Sequence, residues 1–258
     1  MTVRLQAQSV WRICYFNGLL PLVRTPLLVW AGFLTPLSFL FFLFVITGAT
    51  NPAYLPFGVI GGTVFTMLFC GNGMLNDCAY LRLERQLQQV FVASPVRPIA
   101  YLLGMAFSEL AFTLPALLLF LIFLGLVVHV TAVAYLALVG VLLLTWLMAT
   151  TLGFLISTFF KQLREIWPIG TLVFSTLAVL PPIFYPASLI PAQYQWVAFL
   201  APSTYAAQLA AHATDLTAVG SPLTPSFLNN PLFDLGGLVA FTVLFGLAAM
   251  FLARWREP

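Results

Sequence analysis

The chain has 258 residues, 62% hydrophobic and only 7% charged, with a mean hydropathy of +1.04 and a formal net charge of +3. A soluble domain carries about 25% charged residues, and a disordered chain combines high charge with few aromatics, whereas this one has 25 Phe alone. Both classes are excluded. The composition specifies an all-α membrane protein with no nucleic-acid partner, organised as a single domain over residues 1–258.

In chain order, residues 2–20 put Arg4, Gln8 and Arg12 on one helical face and Val3, Ala7, Val10 and Cys14 on the other. That spacing predicts an N-terminal helix lying in the inner membrane interface; an extension of the first span is the alternative. The apolar run 26–47 is too long for the roughly 7–15-residue core of a signal peptide and reads as a retained span. Runs at 57–76, 98–128, 132–159, 167–185 and 233–253 also reach the ~20 helical residues that cross a bilayer core. Six transmembrane helices are therefore expected. The third and fourth exceed the need, so they tilt, kink or project, and Pro115 marks a kink.

Two connecting segments carry a pattern of their own. In 79–93, Tyr80, Leu83, Leu87, Val90 and Phe91 follow the i, i+3, i+4 rule while Arg82, Arg85, Gln86 and Gln89 lie opposite. Ser94-Pro95-Val96-Arg97-Pro98 then ends this amphipathic helix and opens the next one with proline in its first turn. The helix rests either against a partner or on membrane lipid. Between the fifth and sixth spans, Pro181-Pro182 breaks the helix, and 193–200 and 203–213 read as two short helices separated by Pro202. Tyr194, Trp196, Phe199 and Tyr205 suit an interface, which gives a re-entrant or surface-lying outer helical pair. Residues 220–231 read as a loop.

The basic residues fix the orientation. Arg4, Arg12, Arg24, Arg82, Arg85, Arg97, Lys161, Arg164, Arg254 and Arg256 all fall on one side of a six-span topology, and the opposite connections hold no Lys or Arg. Basic loops stay cytoplasmic, so a multi-pass protein of the cell membrane with both termini inside is expected.

Catalytic chemistry is sparse. The single lysine, Lys161, is followed by Gln162, so the Gly-Lys-Ser/Thr phosphate loop cannot be built. Neither H-E-x-x-H nor G-x-S-x-G occurs. Cys14, Cys70 and Cys78 form no C-x-x-C pair, and His129 and His212 are isolated, so no metal site, cofactor or enzymatic activity is expected. Asp77 closes the second span where solvent reaches it. Glu109 lies ~16 Å along the third from Pro98, near mid-membrane, where a carboxyl is by default a functional candidate; a structural hydrogen bond to a neighbouring hydroxyl is the alternative. Small and hydroxyl residues line the second span (Gly58, Gly61, Gly62), the fourth (Thr145, Thr150, Thr151, Gly153, Ser157) and the fifth (Thr171, Ser175, Thr176). Close helix packing explains them; a weakly polar pathway including Glu109, Thr171 and Ser175 is the sharper reading.

Three stretches resemble ABC-2 type transporter permeases. Leu83-Glu84-Arg85-Gln86-Leu87, Ala93-Ser94-Pro95-Val96-Arg97 and Tyr101-Leu102-Leu103-Gly104 resemble the family's segment between helices 2 and 3, where a glutamate opens a cytoplasmic coupling helix. Residues 182–191, PIFYPASLIP, resemble its stretch at the outer end of helix 5, and Ala201-Pro202-Ser203-Thr204-Tyr205 resembles the turn that follows. Ala201 replaces the usual Asn, and Met105 stands where a lysine is common. The resemblance implies the permease subunit of an ATP-binding-cassette exporter, moving a lipid, glycolipid, polysaccharide or drug-like substrate. Its partners would be a separate ATPase and a second permease copy in a homodimer or heterodimer, with helices 1, 2 and 5 at the contact. The implied ATPase-coupling residues are Arg82, Leu83, Glu84, Arg85, Leu87, Val90, Phe91, Ser94, Pro95 and Arg97. A stand-alone channel or a proton-coupled secondary transporter using Glu109 is the alternative class.

The topology is directly testable. In a cysteine-free background, Ser221→Cys should react with an impermeant thiol reagent in intact cells; labelling only after permeabilisation would reverse the orientation.

Overall fold

The computed structural model describes residues 3–25, 27, 34, 37–42, 44–45, 55–85, 96–128, 130–185, 190–214 and 230–252. All regular structure among them is helical. Helix α1 (Val3–Cys14) passes through a π-helical turn, Tyr15–Leu19, into the short α2 (Leu20–Arg24). Four longer helices follow: α3 (Leu55–Leu83), α4 (Pro98–Val127), α5 (Ala132–Ser157) and α6 (Leu163–Val179). Two short helices, α7 (Gln195–Ala198) and α8 (Pro202–Ala213), precede α9 (Pro231–Leu252).

Helices α3, α4, α5 and α9 are each long and apolar enough to cross a membrane. The run expected at 26–47 falls mostly outside the described residues. The expected fifth span appears as α6, which begins before Trp167 and stops at Val179, well before Tyr185. The reason is Pro181-Pro182: neither proline can donate a helical hydrogen bond. Inside α4, Pro115 does not interrupt the helix.

Helix α3 is the hub. About 78% of its spanning stretch is buried, against 17% for α4 and 44% for α5. Its mixture of glycine, threonine and large apolar residues permits this. A side chain at Gly62 would strike the Phe120 ring of α4, and one at Gly71 would strike the Phe174 ring of α6 and the Ala149 carbonyl of α5. Gly153 of α5 in turn lies on the Gly71 backbone. Backbones approach this closely only where no Cβ stands between them, the usual device of helix association in lipid. The buried hydroxyls of Thr66, Thr145 and Thr150 bond to carbonyls of their own helices. They are satisfied without water, which favours the packing reading of the small-residue stripes.

The N-terminal helix packs rather than floats. Its buried stripe is Ile13, Cys14 and Gly18. Gly104 of α4 receives Ile13 and the Val10 carbonyl, and Gly18 lies against Ser108. Leu5, Trp11 and Phe16 stay exposed.

On the far side, the two short helices are found with slightly shifted bounds. Helix α8 is buried along most of its length, from Pro202 to Ala211. Tyr205, expected at an interface, is a core residue whose hydroxyl donates to the Phe199 carbonyl at 3.0 Å. Tyr194 and Trp196 are exposed.

Adding one methyl group at two glycines should separate hub from periphery. Gly71→Ala should destabilise the detergent-solubilised protein by about 1–3 kcal/mol through overpacking. Gly140→Ala, where nothing lies within 4 Å, should be neutral or stabilise by about 0.5–1 kcal/mol. Thermal unfolding of both variants checks the contrast.

Candidate functional site

The C-terminal end of α3 departs from the sequence expectation. A separate amphipathic helix was expected from Ala79, but α3 continues unbroken through Ala79 to Leu83 and turns only at Glu84 and Arg85. No glycine or proline lies between Gly73 and Pro95 to end it earlier. Leu87, Val90, Phe91, Ser94 and Pro95 lie outside the described residues, so the rest of that expected helix does too.

Arg82 is turned inward. Its guanidinium donates to the Thr158 carbonyl at 2.9 Å, to the Ser157 carbonyl at 2.6 Å and to the Phe160 carbonyl. These oxygens belong to the last turn of α5 and the start of the connection to α6. A helix leaves its final carbonyls unpaired, and a cation there meets the negative end of the helix dipole. The planar guanidinium can serve several oxygens at once, as an ammonium cannot.

Past Arg82 the chain faces outward. Leu83 is half-buried against the subunit's own core. Glu84 and Arg85 are exposed, and the Arg85 Nε donates to the Tyr80 hydroxyl at 3.0 Å. Arg97, exposed, precedes Pro98 of α4; its backbone N–H donates to the Gln6 side chain of α1 at 3.0 Å. Residues 84–97 therefore join two anchored helix ends.

A second polar cluster lies deeper between α3 and α4. Glu109 is 6% exposed. Its carboxyl occupies the space left by Gly73, one turn before Asp77 on α3. The Glu109 Oε1 has no hydrogen-bond partner. Asp77, expected where solvent reaches it, is half-buried. Nearby, Cys70 and the Thr113 hydroxyl are 3.0 Å apart.

Thr171 and Ser175 do not join this cluster. Thr171 is exposed and donates to the Trp167 carbonyl of its own helix at 2.9 Å, and Ser175 is half-buried. The α6 face that meets α3 consists of Ile166, Gly170, Phe174 and Ala178. Opposite Gly170 lies the Asn72 side chain, whose Oδ1, like that of Asn76, is buried without a hydrogen-bond partner. Sequence reading passed over these asparagines and Gly73; their four-residue spacings to each other and to Asp77 were the available signal. Among the described residues no cluster of three or more His, Cys, Asp and Glu side chains offers a metal site. Between α8 and α9, His212 Nε2 lies 3.5 Å from the fully buried Asp234 carboxylate.

The helical build of the described residues and the four long apolar helices define a membrane protein. Residues 9–214 match the model of the ABC-2 type transporter family, and the chain belongs to that family. No curated protein matches it. Family members of this kind carry no catalysis themselves and work with an ATP-binding subunit.

The Arg82 anchor gives a stability prediction. Arg82→Ala strands three carbonyls and should cost about 1.5–3 kcal/mol, the range for hydrogen bonds to a charged group. Arg82→Lys should recover only part of that. Thermal melts of the purified variants measure both.

Proposed function

We propose that this chain is the permease subunit of an ATP-driven exporter in the cell membrane. Two copies, or this chain and a close relative, would form the pathway for a lipid, glycolipid, polysaccharide or drug-like substrate, with both termini cytoplasmic and a separate ATPase docked on the segment 84–97. The observation that carries the reading is the Arg82 junction. It ties the inner end of α3 to the end of α5, immediately before the exposed Glu84 and Arg85.

A load applied to residues 84–97 would then reach α3 and α5 through Arg82, and α4 through Arg97. Glu84 and Arg85 would supply the charged contacts of the joint. Leu83, facing the subunit core, would set the apolar side of the segment toward the permease, with Leu87, Val90 and Phe91 continuing that side and Ser94 and Pro95 closing it. Because α3 is occupied within its own subunit, the second copy would rest on α6, whose Trp167, Leu172 and Val179 are exposed, and on the first span.

Charge reversal tests the joint without touching the core. Glu84→Arg should lose or strongly weaken co-purification of the ATPase while the permease stays folded and inserted. Arg82→Lys should keep the ATPase bound but reduce substrate-stimulated ATP hydrolysis. Wild-type binding and transport in Glu84→Arg, together with wild-type behaviour of Phe91→Ala, would sink the docking assignment.

A further inference from the structure

Helices α8 and α9 touch at two points of different chemistry. At one, the Tyr205 ring lies on Gly237, where a side chain would strike it. At the other, His212 Nε2 stands 3.5 Å from Asp234 Oδ2, with the His212 side chain 15% exposed and Asp234 fully enclosed. His212 is in the last turn of α8 and Asp234 in the first turn of α9. The negative end of one helix dipole therefore meets the imidazole, and the positive end of the other meets the carboxyl. Both fields favour an imidazolium beside a carboxylate.

Neither Asp234 carboxyl oxygen has a hydrogen-bond partner, and among the described residues His212 is its one ion-pair partner. A carboxylate held out of water without compensation is costly, so its charge depends on a proton on His212. The surrounding elements bring no substitute. Asp234 is the one ionisable residue of α9. Helix α8 adds Tyr205, whose hydroxyl donates to the Phe199 carbonyl, and α5 holds Tyr135, whose hydroxyl donates to the Leu121 carbonyl. Helix α6 carries Arg164 and Glu165 in its first turn, whereas it meets α8 near its other end, where the Ser203 hydroxyl donates to the Leu177 carbonyl. The ionisable residues of α3, Cys70, Asp77, Cys78, Tyr80 and Arg82, lie in the half that ends at Leu83, while Ile183 and Phe184, just past α6, lie on Gly61 in the opposite half. Asp215, three residues beyond His212 in the sequence, lies outside the described residues.

We propose that His212 and Asp234 form a pH-operated latch between α8 and α9, closed while His212 carries its second proton and released when that proton leaves. The proton passes from the imidazolium to water at the partly exposed edge of His212. The imidazole is then neutral, and the Asp234 carboxylate is left buried without a counter-charge. Lifting the C-terminal end of α8 off α9 lets water reach it. The first turn of α8 stays tied to α6 through Ser203 and Leu177, so the helix turns about that end. The latch closes as pH falls and opens as pH rises, and it holds whether or not an ATPase docks on the segment 84–97.

The test uses the full-length chain in lipid nanodiscs. The chain has two histidines, His129 and His212, so isotope-labelled histidine gives two imidazole NMR signals, assigned with His129→Gln. The His212 titration midpoint should lie about one pH unit or more higher in the wild type than in Asp234→Asn, the range for an opposite charge this close. Equal midpoints overturn the proposal. Hydrogen exchange of the α8 amides, measured against α9 in the same sample, reads the opening. In the wild type that ratio should rise about tenfold or more as His212 loses its proton, the linkage equivalent of one pH unit. In Asp234→Asn and in His212→Gln it should stay flat across the same titration. A flat ratio in the wild type also overturns the latch, and that measurement needs no substitution in the pair.

Discussion

Everything in this subunit is organised by the close approach of backbones to α3. In lipid there is no hydrophobic gain from bringing apolar helices together, so association depends on contact and on satisfied polar groups. Glycines at 61, 62, 71 and 73 let a loop carbonyl, two aromatic rings and a carboxyl reach the helix surface. The same absence of side chains that lets Phe120 and Phe174 pack also makes room for the Glu109 carboxyl. Filling any one of those positions would displace a different neighbour, so α3 ties α4, α5 and α6 together.

The two ends of α3 are held by different chemistry. At the N-terminal end, Gly61 lies under the Ile183 carbonyl and the Phe184 ring, just after the proline pair that ends α6. The outer layer is held in turn by backbone-directed bonds, with Ser203 donating to the Leu177 carbonyl and Thr204 to the Ala198 carbonyl. At the C-terminal end a single guanidinium collects the carbonyls that α5 cannot pair internally. A buried helix end requires partners for these groups, and Arg82 supplies them from a neighbouring helix. Helix α3 is thus held by its neighbours at both ends.

Local sequence signals account for much of the architecture. Hydropathy and length marked α3, α4, α5 and α9, because in a bilayer each spanning segment must satisfy its own backbone and so declares itself in a run of about 20 residues. Proline pairs and an X-Pro start located the end of α6 and the beginnings of α4 and α8, since proline acts on its own hydrogen bond whatever surrounds it. The family resemblance carried by 83–104, 182–191 and 201–205 led to the same class of protein that the match over 9–214 establishes.

Contacts between helices were not legible in this way. The amphipathic pattern at 79–83 was read as the start of a new helix, yet those residues complete α3, because the periodicity of a buried helix end and of a surface helix is the same. Arg82 reads on paper like Arg85, a basic residue near the membrane face; only the arrival of the α5 terminus beside it turns one inward and leaves the other exposed. Gly73 and Glu109 stand far apart in the chain, and nothing in either neighbourhood announces the other. The sequence by itself determined a helical membrane permease, four of its long apolar helices and its proline breaks, since these depend on interactions within a few residues. Which side chains meet across α3, and so where the Glu109 carboxyl lies and which arginine has partners, was decided by tertiary packing, because that depends on how helices align against a glycine-lined surface.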